Sequence, residues 1–478
     1  MNVTSVSELV ADLRTLGLSR GLTSCLPDGA RPPGEMLDRW ARAAALADPE
    51  LRHAAIWAIR EAARANGLVP ASVQGLYAAR GRGEWGGRTV PALNLRGWTY
   101  QTCRAAFRAA RKLGADLLIF EQAPAEIVYA DQRPAEYTAA VLAAALREEH
   151  RGPIFLQGDH VQVNAAAYAR DPAAEVRRLT DLIREQLAAG FCNIDVDAST
   201  VVDLSLPTLE KQQRLNAELT ARFTRTIREL EPSGVTVSVG AEIGEVGAHN
   251  TTPDELRAFM ATYPAALAAR GGGAGISKVS VNSGTTHGGV VLPDGSLAEV
   301  KVDFDALAAI SRVAREEFGL SGAVQHGAST LPMSLFSRFP ESETVEIHLA
   351  LGFNNLIFDH PRLPEAVREE IRSYVFSHHA SERKPGQTDA QFVYTTRKKA
   401  WAVMKSRFWD LPADIQDAIG ASLMEMFGQM FERLNVGGTR ELVARFTKTA
   451  PVAVPVPVPT TLAAALGQQA GSSPRGTR

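Results

Sequence analysis

PIFLQGDHVQ, residues 153–162, carries an apolar, strand-like run directly into Gly158, Asp159 and His160. An ionisable pair at the end of a buried run is costly unless something pairs or coordinates it. Similar short apolar or β-branched runs recur on both sides: VPALNL (90–95), DLLIFE (116–121), NIDVD (193–197) and VTVSVGAE (235–242), then KVSVN (278–282), GAVQH (322–326) and NNLIF (354–358). Amphipathic helical patterns separate them, among them YQTCRAAFRAARKLG, AAEVRRLTDLIREQLAAG and DFDALAAISRVAREEFG. Eight strands, each followed by a helix, predict a closed parallel (β/α)8 TIM barrel over residues 90–382. Strands enclosed on both faces should read as nearly continuous apolar runs, and most of these do. A doubly wound open sheet is the structural alternative. The least regular stretch lies between strands seven and eight, where MSLFSRFPESETVEIHLALG reads as helical despite its proline.

Residues 1–89 read as a mostly helical N-terminal extension, and 383–450 as a helical C-terminal extension. Residues 451–478 begin as a proline alternation and end rich in Gly and Ser, which predicts a disordered tail. With 478 residues and 45% apolar content the chain can bury a large core. A net charge of −2 points to neither a nucleic acid nor a membrane partner. The basic cluster TRKKAWAVMKSR (396–407) has helical spacing and reads as a solvated face, with an anion site or partner surface as the other reading. Cys25, Cys103 and Cys192 are too scattered for a disulfide framework or a metal knuckle. The N-terminus carries Glu8 and Asp12 without a long apolar core, so it does not read as a signal peptide. No apolar run reaches the length of a membrane span, and a cytoplasmic location is the simplest expectation.

Active sites of such barrels lie at the carboxyl ends of the strands. Those ends carry Asp159-His160 after strand three, Asp197-Ala198-Ser199 after strand four and Glu242-Ile243-Gly244 after strand five. GTTHG with His287 follows strand six, HGAS with His326 follows strand seven, and Asp359-His360 ends strand eight. A single histidine is more often a satisfied polar residue than a ligand. Histidines at three strand ends, each beside a glycine, together suit a catalytic divalent metal with an open position. His348, within an apolar helical pattern, reads as core, and His53, His150, His378 and His379 read as surface residues. The glycine loops GTTHGG (284–289) and HGAST (326–330) can point N–H groups at an anion, which favours a phosphorylated substrate.

The set GDH, DAS, AEIG, SGTTHG and QHGAS resembles the class II, zinc-dependent ketose-bisphosphate aldolases, which include fructose- and tagatose-bisphosphate aldolases. The resemblance covers roughly residues 88–362, and PALN with Asn94 on the first strand also fits. It implies that His160, His287 and His326 hold one Zn2+ per chain, or another divalent metal, with Glu242 joining them. It makes Asp159 the acid/base that exchanges a proton with the C4 hydroxyl, and Asp197 a carboxylate of the neighbouring metal pocket. Asn94, Gly288, Gly327, Ser329 and Asp359 become substrate or phosphate contacts. The implied activity is reversible cleavage of a phosphorylated ketose to dihydroxyacetone phosphate and an aldehyde, by a homo-oligomer, a dimer or larger.

The pattern departs from the family in places. Gly240 stands where many members have a further glutamate, and Gln122 where a serine for the far phosphate is expected. The strand-eight N-x-D motif becomes Ile357-Phe358-Asp359. The loop after strand five offers Glu245, His249 or Asp254 as proton donor without a clear match. These changes suggest an unusual acceptor, lacking a second phosphate. The alternative is a non-catalytic barrel subunit supporting a tagatose-bisphosphate-type aldolase, against which the converging imidazoles argue.

Overall fold

A computed structural model describes residues 2–18, 25–244, 249–284, 292, 301–447 and 458–465. The barrel strands are β1 (Val90–Asn94), β2 (Ile119–Gln122), β3 (Ile154–Gln162), β4 (Asn193–Asp197), β5 (Ser238–Glu242), β6 (Lys278–Val281), β7 (Ala323–Gln325) and β8 (Glu346–Leu349). Each runs parallel to its neighbours, and β1 closes onto β8 from Val90–Glu346 to Leu93–Leu349. The fold is the predicted (β/α)8 barrel. Helices between strands carry local start and stop signals. Pro172–Ala189, for example, opens on Asp171, whose carboxylate accepts from Ala174 N–H, and stops at Gly190 with φ +102°.

The eighth strand differs from the sequence reading. NNLIF is part of a helix, Leu351–Phe358, and the strand is Glu346–Leu349 within the segment read as helical. A short apolar run cannot be assigned by periodicity alone. Glu346-Ile347-His348-Leu349 alternates with period two, but its polar members face the inside of the barrel, which reverses the usual hydrophobic pattern. The proline falls in a short helix, Arg338–Glu341, where Phe339 is fully buried.

The N-terminal extension reaches the amino end of the barrel. Pro70–Ala71 pairs with the start of β3, and the helix Gln74–Gly81 places Tyr77 so that its hydroxyl donates to Glu346. In the C-terminal extension, helix Ala413–Arg433 packs along Thr99–Leu113. The segment Arg397–Trp409 crosses the opposite, carboxyl end of the barrel. There Trp401 is fully buried against Phe358, and Arg397 pairs with Asp359. The basic cluster is therefore not a solvated face. Lys399 pairs with Glu382 at 2.5 Å, and Lys405 is buried 2.7 Å from Glu136. Part of the tail expected to be disordered is also packed: Thr460–Ala465 is a short helix with Leu462 buried. Among the described residues no helix is long and apolar enough to cross a membrane.

Candidate active site

Asp159 and His160 are neighbours in sequence, yet both face the barrel interior. The pairing of β3 with β4 explains how. Gly158 is level with Ile194 and Val161 with Val196, so Asp159 and His160 together oppose the single residue Asp195. This is a β-bulge, in which one extra residue re-aims a side chain that strand alternation would send outward. The backbone bears the cost at His160, whose φ of +45° lies in the left-handed region.

Three donor atoms meet at the bulge. Glu242 Oε1, at the end of β5, lies 3.0 Å from His160 Nδ1 and 2.9 Å from His326 Nε2, just past the end of β7. Asp197 Oδ2 lies 3.2 Å from the same His160 nitrogen, while its other oxygen accepts from the Ser199 N–H and hydroxyl. Burial opposes protonation of His160, but Asp159 and Glu242, with hydrogen bonds to Asp197 and Glu242, carry its pKa well above the ordinary imidazole value. The cluster is thus an anionic pocket that favours a positive charge. Glu242 Oε1 is buried, with both imidazole nitrogens standing beside it. Donors about 3 Å apart approach the edge lengths of a coordination shell with bonds of ~2.0–2.2 Å, so this N/O set fits a zinc-like divalent cation.

Below this triad lies a second layer that the sequence reading missed. His348 Nδ1 is 3.0 Å from Asp159 Oδ1 and 3.1 Å from Glu121 Oε2, and its Nε2 is 2.7 Å from Glu346 Oε1. Deeper still, Lys278 Nζ is 2.9 Å from Asp195, 2.5 Å from Glu346 and 2.8 Å from Gln157. Barrel interiors are ordinarily filled by branched aliphatic side chains, so a buried ladder of charges is a departure. Burial opposes ionisation of Asp159, yet His160 and His348 hold its carboxyl well below the usual range. Glu121 is pushed the other way, first by burial and then by the charge of Asp159. One carboxylate is thereby kept ionised beside another that favours its proton. The available signal was the period-two placement of polar residues within strands: Asn193-x-Asp195-x-Asp197 and Glu346-x-His348.

The other expected site residues are placed as follows. Asn94 ends β1, and its side-chain oxygen accepts from Arg96 Nε at 3.2 Å. Gly327 follows His326 with φ +73°, and the Ser329 hydroxyl accepts from the Leu351 N–H at the start of the next helix. Asp359 does not end a strand. It follows the helix Leu351–Phe358 and pairs through both oxygens with Arg397, with 59% of its side chain exposed, so the expected place at the end of strand eight does not hold. His249 lies 2.9 Å from Glu255 Oε1. Gln122, standing where a phosphate-binding serine was expected, donates to the Gln132 carbonyl. His287, Gly288 and Glu245 lie outside the described residues.

No family model and no curated protein matches the chain. Solved structures do. The native fructuronate-tagaturonate epimerase UxaE from Cohnella laeviribosi aligns at 13% identity over 77% of this chain and 83% of its own, with a TM-score of 0.52. A probable tagatose 6 phosphate kinase from Sinorhizobium meliloti 1021 aligns at 16% identity over 80% and 97%, with a TM-score of 0.50. A fructose-bisphosphate aldolase from Campylobacter jejuni aligns at 16% identity over 77% and 95%, with a TM-score of 0.46. The likeness is one of fold. It shows a shared barrel, and the chemistry must be argued from the side chains.

Proposed function

We propose that this chain is a metal-dependent aldolase that cleaves a phosphorylated ketose between C3 and C4. The observation that carries the reading is the convergence of His160 Nδ1, Glu242 Oε1 and His326 Nε2 beside an ionised Asp159. His160, Glu242 and His326 would hold a divalent cation, zinc by the nature of the donors, which would supply Lewis-acid polarisation of the substrate carbonyl. Asp159 takes the proton from the C4 hydroxyl. As the C4–O–H bond breaks, its electrons form the new C4 carbonyl, and the C3–C4 pair passes to C3. Asp197 and the bulge fix the His160 ring, and His348 fixes the Asp159 carboxylate from below. In the reverse direction Asp159 returns the proton.

The test is chelator-sensitive cleavage of phosphorylated ketoses, with products separated. Asp159→Ala should keep the metal and lose activity by roughly 10²–10⁴-fold, the usual contribution of a general base. A variant that retains wild-type turnover removes Asp159 from the mechanism. A single epimerised sugar in place of two fragments would replace cleavage by epimerisation.

A further inference from the structure

The basic cluster at 396–407 leaves one cation unaccounted for. Arg397, Lys399 and Lys405 each have a carboxylate partner. Lys398 has none: among the described residues its side chain makes no hydrogen bond or ion pair, and it is half-buried. Its Nζ stands 5.9 Å from the ring centre of Tyr129, which ends the short helix Pro124–Tyr129 after β2. The same ring faces Arg96, which follows β1 and is itself held by Glu126 at 2.8 Å and by the Tyr129 hydroxyl at 2.5 Å. Burial and the nearby Arg96 both lower the pKa of Lys398, with Glu126 opposing. Two cations therefore share one carboxylate at the carboxyl end of the barrel. Arg96 follows β1 and Glu126 lies in the short helix Pro124–Tyr129 after β2, the strand that pairs with the Asp159-bearing β3, so this pair stands on the β1–β2 side of Asp159.

We infer that Lys398, supported by Arg96, forms an anion subsite that holds the charged terminus, phosphate or carboxylate, of the substrate on the β1–β2 side of Asp159. A partly desolvated ammonium that shares its nearest carboxylate with a second cation gains most from a ligand that brings a further negative charge, and hydrogen bonds to ionised groups are the stronger kind. The C-terminal extension would thereby act as a specificity element. Its docking through Arg397–Asp359 and Trp401 fixes where Lys398 stands. Gln122 is committed to a backbone carbonyl, so Lys398 takes over a role that the end of β2 does not fill.

The inference rests on the aldolase reading for its substrate, so the test reads binding as well as turnover. Inorganic phosphate and glycolate are titrated separately, by calorimetry, into the metal-loaded full chain. Wild type should bind at least one, and the one bound assigns the terminus as phosphate or carboxylate. Lys398→Met should weaken that binding at least tenfold, Lys398→Arg should restore most of it, and Lys399→Met should leave it unchanged. With sugars, Lys398→Met should raise KM for a charged terminus and not for its neutral analogue. Wild type that binds neither anion, or Lys398→Met that binds as tightly as wild type, overturns the subsite. Loss of anion binding in Lys398→Met without any cleavage by wild type would keep the subsite and refute the aldolase reading.

Discussion

Asp159 and Asp195 are buried in the same barrel and are driven in opposite directions. Asp159 is held ionised by His160 and His348 against its own burial. Asp195 is pushed up to about 6, chiefly by burial, with Lys278 opposing and Glu346 adding to the rise. A folded-state pKa above the unfolded value gives stability that is complete below about pH 4 and is lost as pH rises through 6. Asp195→Asn removes that loss while leaving Lys278 paired with Glu346. The variant should match wild type near pH 4 and exceed it by up to about 3 kcal/mol at pH 8, read from denaturant unfolding. A constant difference between the two across that range would show that Asp195 does not titrate there. Asp159, His160, Glu242 and His326 were legible because each falls at the end of a strand-like run. His348 was not, since a histidine among apolar residues looks like helix core until the strand pairing is known.

The bulge in β3 and the segment Arg397–Trp409 are the two elements that shape the site. Gly97, in the loop after β1, has φ +80°, and a Cβ there would fall 2.1 Å from the Trp401 ring. Gly97→Ala combines a left-handed backbone with a clash against a fully buried indole, and should cost roughly 2–4 kcal/mol in thermal or denaturant unfolding. Trp401→Ala, which leaves a large cavity beneath the same segment, should cost about 3–5 kcal/mol. If either variant unfolds like wild type, the segment is not anchored as described. Local pattern could not reveal this docking. The cluster's charges find Asp359, Glu382 and Glu136 far away in sequence, and helical spacing alone made them look solvated. The exchange of strand and helix near residue 350 has the same origin: inward-facing polar residues reversed the pattern that marks a strand.

At the scale of the molecule, helices close both ends of the barrel. Tyr77 enters from the amino end toward Glu346, and Trp401 with Lys398 covers part of the carboxyl end. Between them runs a continuous polar interior, from Lys278 through Glu346, His348 and Asp159 to His160 and Glu242. The alternation of strands and helices made the closed barrel legible from sequence, because seven successive parallel crossovers between eight strands leave few other topologies. The charged interior was harder to read, since each strand contributes only one or two of those residues and the period-two polar placement within strands was the one local signal. The account's central claim is that the upper end of this ladder holds a divalent cation. Elemental analysis of the purified full chain tests it most directly, with His160→Ala and His326→Ala alongside. About one zinc or other divalent metal per chain, lost in both variants, is the predicted result. A wild-type chain that holds no divalent metal after zinc loading, or variants that retain it undiminished, would contradict the account.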